Sequence, residues 1–426
     1  MSNKYLHFVF ISLFAILFSN CATTLYDQGR NSLSEGDYNK AVELLKQEVS
    51  ANPQNYEAWR DLGIAEFKNN NLKDAETNLL KAYDLKKDDG ETTLNIGLLY
   101  EKLEDYDKAL SFYKNYTSIS GGSADIIEGR MNLISRKKVE KEIKLALQNE
   151  DKLKLEPIPD NTIAVLYFQN IGGNKEYDAL QKGLTEMLIT DLSKVKSLKV
   201  VERVKLQKLM DEIKLSSSEQ FDKSTAPRFG KLMKANKLVN GTFLNLSGDQ
   251  FQVNAGFTST SDGVFQPVKN VSGDINKYFK LQKELVFNII DEMGIKISDE
   301  EREAIQVIPT ESYLAFVAYS KGLDLEDRGL YGEAAEQFSQ AFNIDPSFNQ
   351  AQFKSDESKS CEKGKNDVST INNSNNTFST TTSDRLMQST ANLTGEVVTG
   401  KDDRNPNASA GFGRSVKVQF EIIIPK

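Results

Sequence analysis

The chain has 426 residues, 39% of them hydrophobic and 27% charged, so it is long enough for two or three domains with cores of their own. Its net charge of −8 disfavours a nucleic-acid backbone as partner, because that binding depends on surplus Lys and Arg. The single histidine, His7, lies in a segment that we expect to be removed, which leaves no histidine for a catalytic triad or a zinc site. We therefore expect no enzyme, no cofactor and no metal site.

The first 20 residues have the pattern of a secretory signal. The apolar run at 8–18 is too short to cross a bilayer, but its length suits the hydrophobic region of a signal peptide. The segment Phe18-Ser19-Asn20-Cys21 resembles a bacterial lipoprotein lipobox, although Phe18 and Asn20 depart from the usual Leu and small residue. The resemblance implies cleavage before Cys21 and lipidation of its sulfur. An ordinary cleaved signal with an incidental cysteine is the alternative.

Residues 21–116 contain an internal repeat with a step of 34 residues. Gly29, Gly63 and Gly97 recur at this step. The period and the residue types are those of the tetratricopeptide repeat (TPR), in which each repeat is a pair of helices. Because one pair cannot bury its apolar face alone, about three stacked repeats are needed, and three are present. Alanines and large apolar residues recur in register with the glycines: Ala41, Ala75, Ala109, Leu45, Leu79 and Tyr113.

A charged capping helix and a linker are expected over 117–159, followed by an α/β domain over 160–300. The run "TIAVLYF" predicts a buried strand, and leucines at every fourth position from Leu180 to Leu192 predict a helix. A strand in "LKVVER", two further helices, three meandering strands and a long closing helix follow. This order predicts a single layered α/β fold. We interpret Arg203, beside Glu202 at a strand end, as part of a structural ion pair.

The middle domain resembles a known family. The segments "IAVLYFQNIGG", "LQKGLTEMLITDLSKVKSLKVVERVKLQKLMDEIKL" and "FGKLMKANKLVNGTF" are similar to the curli production assembly/transport component, CsgG, and to relatives that include flagellar lipoproteins and TolB-N-terminal-like domains. The resemblance covers about Thr162 to Ile297. The curli channel builds its pore from two long hairpins inserted in this domain, whereas the corresponding places here are short. The resemblance therefore implies the fold and not the pore.

A further TPR is predicted over 311–350, since "AYSKGLDLEDRGLYGEAAEQFSQAFNIDPSF" repeats the glycine, alanine and proline offsets of the first array. A lone repeat must dock on the middle domain, on the first array or on another chain. Residues 354–426 read as a low-complexity tail. The closing "VKVQFEIII" alternates apolar residues and could form a terminal strand, which we leave unplaced.

The TPR frame also predicts a partner groove on the first helices of the array. The mixture of cations and apolar side chains there, on an acidic chain, favours a peptide ligand with acidic and apolar residues. The alternative is that these cations are merely solvated. The predicted groove residues are Arg30, Arg60, Ile64, Phe67, Lys68 and Lys102.

Together these patterns predict a multidomain α and α/β protein, in which a TPR solenoid precedes a CsgG-like domain and one further TPR. We expect a lipid-anchored periplasmic scaffold that binds other envelope proteins or peptide segments during assembly or secretion. Ala22 is not the Asp that signals inner-membrane retention, which favours the outer membrane. Whether the chain forms a homo-oligomer stays open. A subunit of a curli-type secretion channel is one alternative, disfavoured by the missing hairpins, and an enzyme of unknown type is the other.

Overall fold

The computed structural model describes residues 24–120, 124–153, 157–214, 225–245 and 250–373. The predicted lipidation site Cys21 and the predicted terminal strand in 416–424 lie outside these residues. Within them, none of the helices has both the length and the apolar character that crossing a membrane requires.

The first array consists of six helices that pack as three antiparallel pairs. A polar side chain caps the start of five of the six helices; Asn55 and Asp89, for example, accept hydrogen bonds from the backbone N–H groups of Ala58 and Thr92. Such caps satisfy backbone donors that a helix start leaves open. The helices are α1 Leu25–Glu35, α2 Tyr38–Ala51, α3 Tyr56–Lys68, α4 Leu72–Leu85, α5 Gly90–Lys102 and α6 Tyr106–Ser120.

The repeated glycines allow the two helices of each pair to touch. A Cβ atom on Gly63 would lie 2.6 Å from Cγ of Leu79, closer than real side-chain atoms approach. The same contact recurs in every repeat, which confirms that the 34-residue step is a packing repeat. The equivalent pairs are Gly29 with Leu45, Gly97 with Tyr113 and, in the C-terminal repeat, Gly322 with Phe338.

The middle domain is built on a mixed sheet. The strand order is β3-β1-β4-β5-β6, with β2 also paired to β4; β3, β1 and β4 are parallel, while β5 and β6 continue the sheet antiparallel. This agrees with the predicted βαβα order followed by a meander. The elements are α7 Ala124–Gln148, α8 Glu150–Leu153, β1 Thr162–Val165, β2 Gln169–Asn170, α9 Leu180–Leu192, β3 Lys199–Val200, α10 Arg203–Ile213, α11 Ala226–Met233, β4 Lys237–Asn245, β5 Gln250–Ser259, β6 Phe265–Asp274, α12 Tyr278–Glu292 and α13 Asp299–Gln306.

Both faces of this sheet are covered by helices of the same chain. Ile163 and Val165 point to one face, where α9 and α12 pack over them. Ala164 and Leu166 point to the other, where α10, α11 and Ile143 at the end of α7 close a second core. The continuous apolar run in the first strand follows from this burial on both sides.

The connections between the antiparallel strands are short. Four residues join β4 to β5 and five join β5 to β6, while β6 passes to α12 through a single 3₁₀ turn at Ile275–Lys277. A membrane-inserted hairpin would need about 20 more residues at either place. The long hairpins of the curli channel therefore have no counterpart in these connections.

The C-terminal repeat docks on the middle domain and on α7, the helix that follows the first array. It consists of α14 Tyr313–Asp327 and α15 Tyr331–Ile344, with α14 packed on α9. A third helix, α16 Asn349–Asn373, packs on α15 and also along α7, the helix that follows the first array. Much of the apolar surface of the repeat is thus buried within the chain, while Leu314 and Phe353 remain exposed.

Helix α16 extends to residue 373, where the sequence pattern predicted a low-complexity tail from 354. Its buried stripe consists of small residues rather than large apolar ones, which hides it from a hydrophobicity pattern. The small stripe allows a close approach to α7: a Cβ on Gly129 would lie 1.9 Å from the backbone oxygen of Ser360. The stripe is Ala351, Ser355, Ser358, Cys361 and Gly364.

Candidate functional site: the first-helix layer of the array

Arg60 lies on the predicted side of the array, but its charge is already bound by the protein. Its guanidinium contacts Asp61 at 2.8 Å, Glu91 at 3.1 Å and Asp89 at 3.7 Å. Burial alone would lower the pKa of Arg60, but Asp61 and Glu91 raise it, so the group stays charged. Because Glu91 belongs to the next repeat, Arg60 ties two first helices together. Its buried side chain therefore shapes the surface of the candidate groove and does not extend from it toward a ligand.

The apolar residues of the candidate groove, Ile64 and Phe67, follow Arg60 on helix α3. Ile64 is buried, with 8% of its surface exposed, and Phe67 is half-buried. Lys68 is also half-buried, and burial lowers the pKa of its ammonium to about 7. Its Nζ lies 6.0 Å from the centroid of the Phe67 ring. A ligand here would therefore meet an aromatic surface beside an ammonium group that is poorly hydrated.

Arg30 and Lys102 are exposed, in the first and third repeats respectively. With Lys68 between them, they are the three predicted cations that a ligand could reach. The six predicted residues therefore divide into three reachable cations, one half-buried aromatic ring, and two buried residues, Arg60 and Ile64, that shape the surface.

A second charged cluster, which the sequence patterns did not predict, joins helix α7 to the middle domain and the C-terminal repeat. The carboxylate of Glu326 on α14 is fully buried and contacts Arg136 of α7 at 2.8 Å, Lys354 of α16 at 3.1 Å and Arg203 of α10 at 3.3 Å. Burial alone would raise the pKa of Glu326, but Lys354, Arg136 and Arg203 together lower it to about 2. We call Glu326 and these three cations the junction cluster.

The ion pair predicted for Arg203 is present, but its partners differ from the predicted one. The guanidinium contacts Glu186 on α9 at 2.8 Å and binds Asp327 on α14, while the neighbour Glu202 is not among its ion-pair partners in the described part of the chain. The partner on α14 is 124 residues away in sequence. The sequence around Arg203 does not indicate this contact, because the contact forms only when the C-terminal repeat docks on the middle domain.

Family comparisons match the chain in two regions. The family described as "Curli production assembly/transport component CsgG" matches residues 144–262. Two tetratricopeptide repeat families match residues 26–92 and 91–121. These ranges correspond to the array of α1–α6 and to the sheet domain up to the β5–β6 connection.

Individual relatives share the repeats. Anaphase-promoting complex subunit 3 of Schizosaccharomyces pombe is 28% identical over 86 residues, which are 20% of this chain and only 13% of that protein. The crystal structure of MamA is 26% identical, with 33% of this chain and 86% of that chain covered, at a TM-score of 0.27. A tetratricopeptide repeat protein from Parabacteroides merdae is 15% identical, and the match covers 79% of this chain and 97% of that chain at a TM-score of 0.25. The chain thus carries tetratricopeptide repeats, which are protein-interaction modules, followed by a domain of the CsgG family.

Proposed function

We propose that this protein is a lipid-anchored scaffold of the bacterial envelope, which holds partner proteins or peptide segments in the groove of its first array during assembly or secretion. One observation supports the proposal: the first helices carry an aromatic ring, Phe67, beside Lys68, and an exposed cation in the first and in the third repeat, on a chain whose net charge is −8. Tetratricopeptide repeats and CsgG domains are typically scaffolding or transport modules rather than enzymes.

The chemistry of the groove favours a ligand segment that combines carboxylates with apolar side chains. Carboxylates would pair with Arg30, Lys68 and Lys102, and an apolar side chain would cover Phe67. Opposite charge speeds and orients the encounter, while apolar burial supplies much of the affinity. The carboxylates around Arg60 would repel an acidic group placed directly on it, so the acidic residues of the ligand would flank that position.

The proposed lipid anchor is inferred from the sequence Phe18-Ser19-Asn20-Cys21. Acyl burial is worth about 0.8 kcal/mol per CH₂ group, so two or more chains would hold the protein essentially permanently. The four residues from Ala22 to Leu25 can extend at most about 14 Å, which would keep the first repeat close to the bilayer. The partner would then be met at the membrane surface, on the periplasmic side of the outer membrane.

A charge-reversal series tests the groove. Arg30, Lys68 and Lys102 are changed together to Glu, and the proteins that co-purify from cross-linked cells are compared with those of the wild type. The matched control changes Lys40, Lys73 and Lys81 to Glu; these lysines are exposed on second helices, and the change in net charge is the same. We expect only the groove variant to lose its partners. Equal capture of partner proteins by both variants would refute the proposal that the groove binds them.

The anchor is tested separately by Cys21→Ala. We expect this variant to leave the membrane fraction and to appear in the soluble fraction, because no acyl chain can then be attached. If the variant stays in the detergent-extracted membrane fraction, the protein is not a lipoprotein of this kind, whatever the groove binds.

A further inference from the structure

A cleft of about 380 Å³ opens where the first array, the middle domain and the C-terminal repeat meet. It is lined by α7, α10, the turn after α14, and α16, together with the end of α5. Six basic and four acidic side chains line it, which leaves an excess of two positive charges on a chain that is acidic as a whole. The cleft shares no lining residue with the six predicted residues of the groove.

Three cations at this cleft are loosely paired. Nζ of Lys137 lies 3.4 Å from Glu101, Nζ of Lys208 lies 3.8 Å from Glu140, and Nη1 of Arg328 lies 3.6 Å from Asp324. These distances exceed those of strong charged hydrogen bonds, which are about 2.7–2.9 Å. Side chains in such exposed or partly exposed pairs are held weakly and can turn to another anion.

Each of the three carboxylates has a second, closer cation. Glu101 contacts Arg130 at 2.8 Å, Glu140 contacts Lys144 at 2.6 Å, and Asp324 contacts Lys182 at 2.8 Å. A ligand that draws the looser cations away would therefore leave no carboxylate without a partner. This removes the main cost that normally opposes the breaking of ion pairs inside a protein.

A fourth cation completes the arrangement. Lys365 of α16 donates to the backbone oxygen of Gly329 at 3.2 Å, a neutral acceptor that it can exchange for a charged one. The four cations come from α7, α10, the turn after α14, and α16, so they surround the cleft rather than follow one helix. Cations that converge from several directions suit a compact anion better than an extended chain.

We propose that this cleft binds a small anion with two or more negative charges, carried by phosphate or carboxylate groups. The ligand would be held by Lys137, Lys208, Arg328 and Lys365. The volume lies at the lower end of the range for small-molecule sites, about 300–1,000 Å³. Because the site is formed by all three parts of the molecule, occupation would also fasten them together.

Isothermal titration calorimetry with inorganic pyrophosphate and with citrate tests the proposal. The two probes distinguish phosphate from carboxylate ligands and carry no peptide. We expect at least one to bind to the full chain with a dissociation constant below about 1 mM, and to bind more weakly as salt is added. The double variant Lys137→Gln, Lys208→Gln should weaken that binding by about tenfold or more.

The matched control is Lys73→Gln, Lys81→Gln, which removes two exposed lysines of the first array and should leave the affinity unchanged. A second variant, Lys365→Gln, alters none of the three ion pairs and should also weaken binding. Circular dichroism melts verify that each variant is folded. No binding of either probe, or equal weakening in the control, would overturn the proposal.

Discussion

Replacing Glu326 with Gln should loosen the contact of the C-terminal repeat with α7 and with the middle domain. The substitution keeps the size of the side chain but removes the negative charge at the centre of the junction cluster. Arg136, Lys354 and Arg203 would then remain close together around a neutral amide. Removing one partner of a buried ion pair is strongly destabilising, at about 3–5 kcal/mol, because the remaining charge is left uncompensated.

The pKa of Glu326 points in the same direction. Lys354, Arg136 and Arg203 lower it from 4.5 to about 2, so the ionised carboxylate contributes on the order of a few kcal/mol. Because the pKa in the folded state is the lower one, this contribution is complete above pH 4.5 and is lost as the pH falls through about 2. The wild type should therefore lose stability in this window, and the variant should lose less.

Urea unfolding followed by two signals tests this reasoning. Circular dichroism reports all helices, whereas the fluorescence of Trp59, the single tryptophan, reports the second repeat of the first array. We expect the variant to shift the circular dichroism transition to lower urea by about 1–3 M, since slopes are about 1–3 kcal/mol per M. The Trp59 transition should move less, because Glu326 contacts α7 and no helix of the array itself.

The control for this experiment is Glu303→Gln on α13, where the carboxylate is exposed. Surface changes of this kind usually stay within about 0.5 kcal/mol. If Glu326→Gln unfolds at the same urea concentration as this control, the junction cluster does not hold the C-terminal repeat to α7 and the middle domain.

Three further predictions follow from single residues. Gly129→Ala should lower the free energy of unfolding by about 1–3 kcal/mol in thermal or urea melts, because the added Cβ would overlap the backbone of Ser360 on α16. The control Gly332→Ala should be neutral or stabilising, because its Cβ would meet nothing closer than 3.8 Å. Cys361 should resist a thiol reagent at pH 8 until the protein is denatured, because the residue is fully buried and burial raises the pKa of its thiol to about 12; rapid labelling of the native protein would contradict this. Binding of an acidic segment in the groove should weaken as the pH rises from 6 to 8, because burial lowers the pKa of Lys68 to about 7 and its ammonium then loses its charge. If a Lys68→Met variant keeps the same pH dependence, Lys68 is not the cause.

The repeats could be predicted from sequence because their packing is local. Gly63 meets Leu79 only 16 positions later, and the same spacing recurs in all four repeats, so the contact leaves a regular mark on the sequence. The strands of the middle domain could be recognised for a similar reason, since burial on both faces gives a continuous apolar run. In the repeats the residues that pack together are near neighbours in the chain, whereas β1 is recognised from its own apolar run although its partner β4 lies more than 70 residues later.

The junction between the parts could not be predicted, because its contacts join distant segments. Arg203 and Asp327 are 124 residues apart, and neither lies in a pattern that points to the other. Helix α16 was missed because small polar residues form its buried stripe. At the candidate groove, the repeat frame predicts residues on the first helices. The ion pairs of Arg60 with Asp89 and Glu91 of the next repeat, in contrast, appear only in three dimensions.

Site-specific photo-cross-linking tests the central claim, that the first helices of the array bind a partner, most directly. A photoreactive amino acid is placed at Phe67 in the groove or, as the control, at Lys81 on the outer side of a second helix. We expect the photoreactive group at position 67 to trap a defined partner through a segment with acidic and apolar residues, and the group at position 81 to trap none. Equal trapping at both positions, or trapping at position 81 alone, would contradict it.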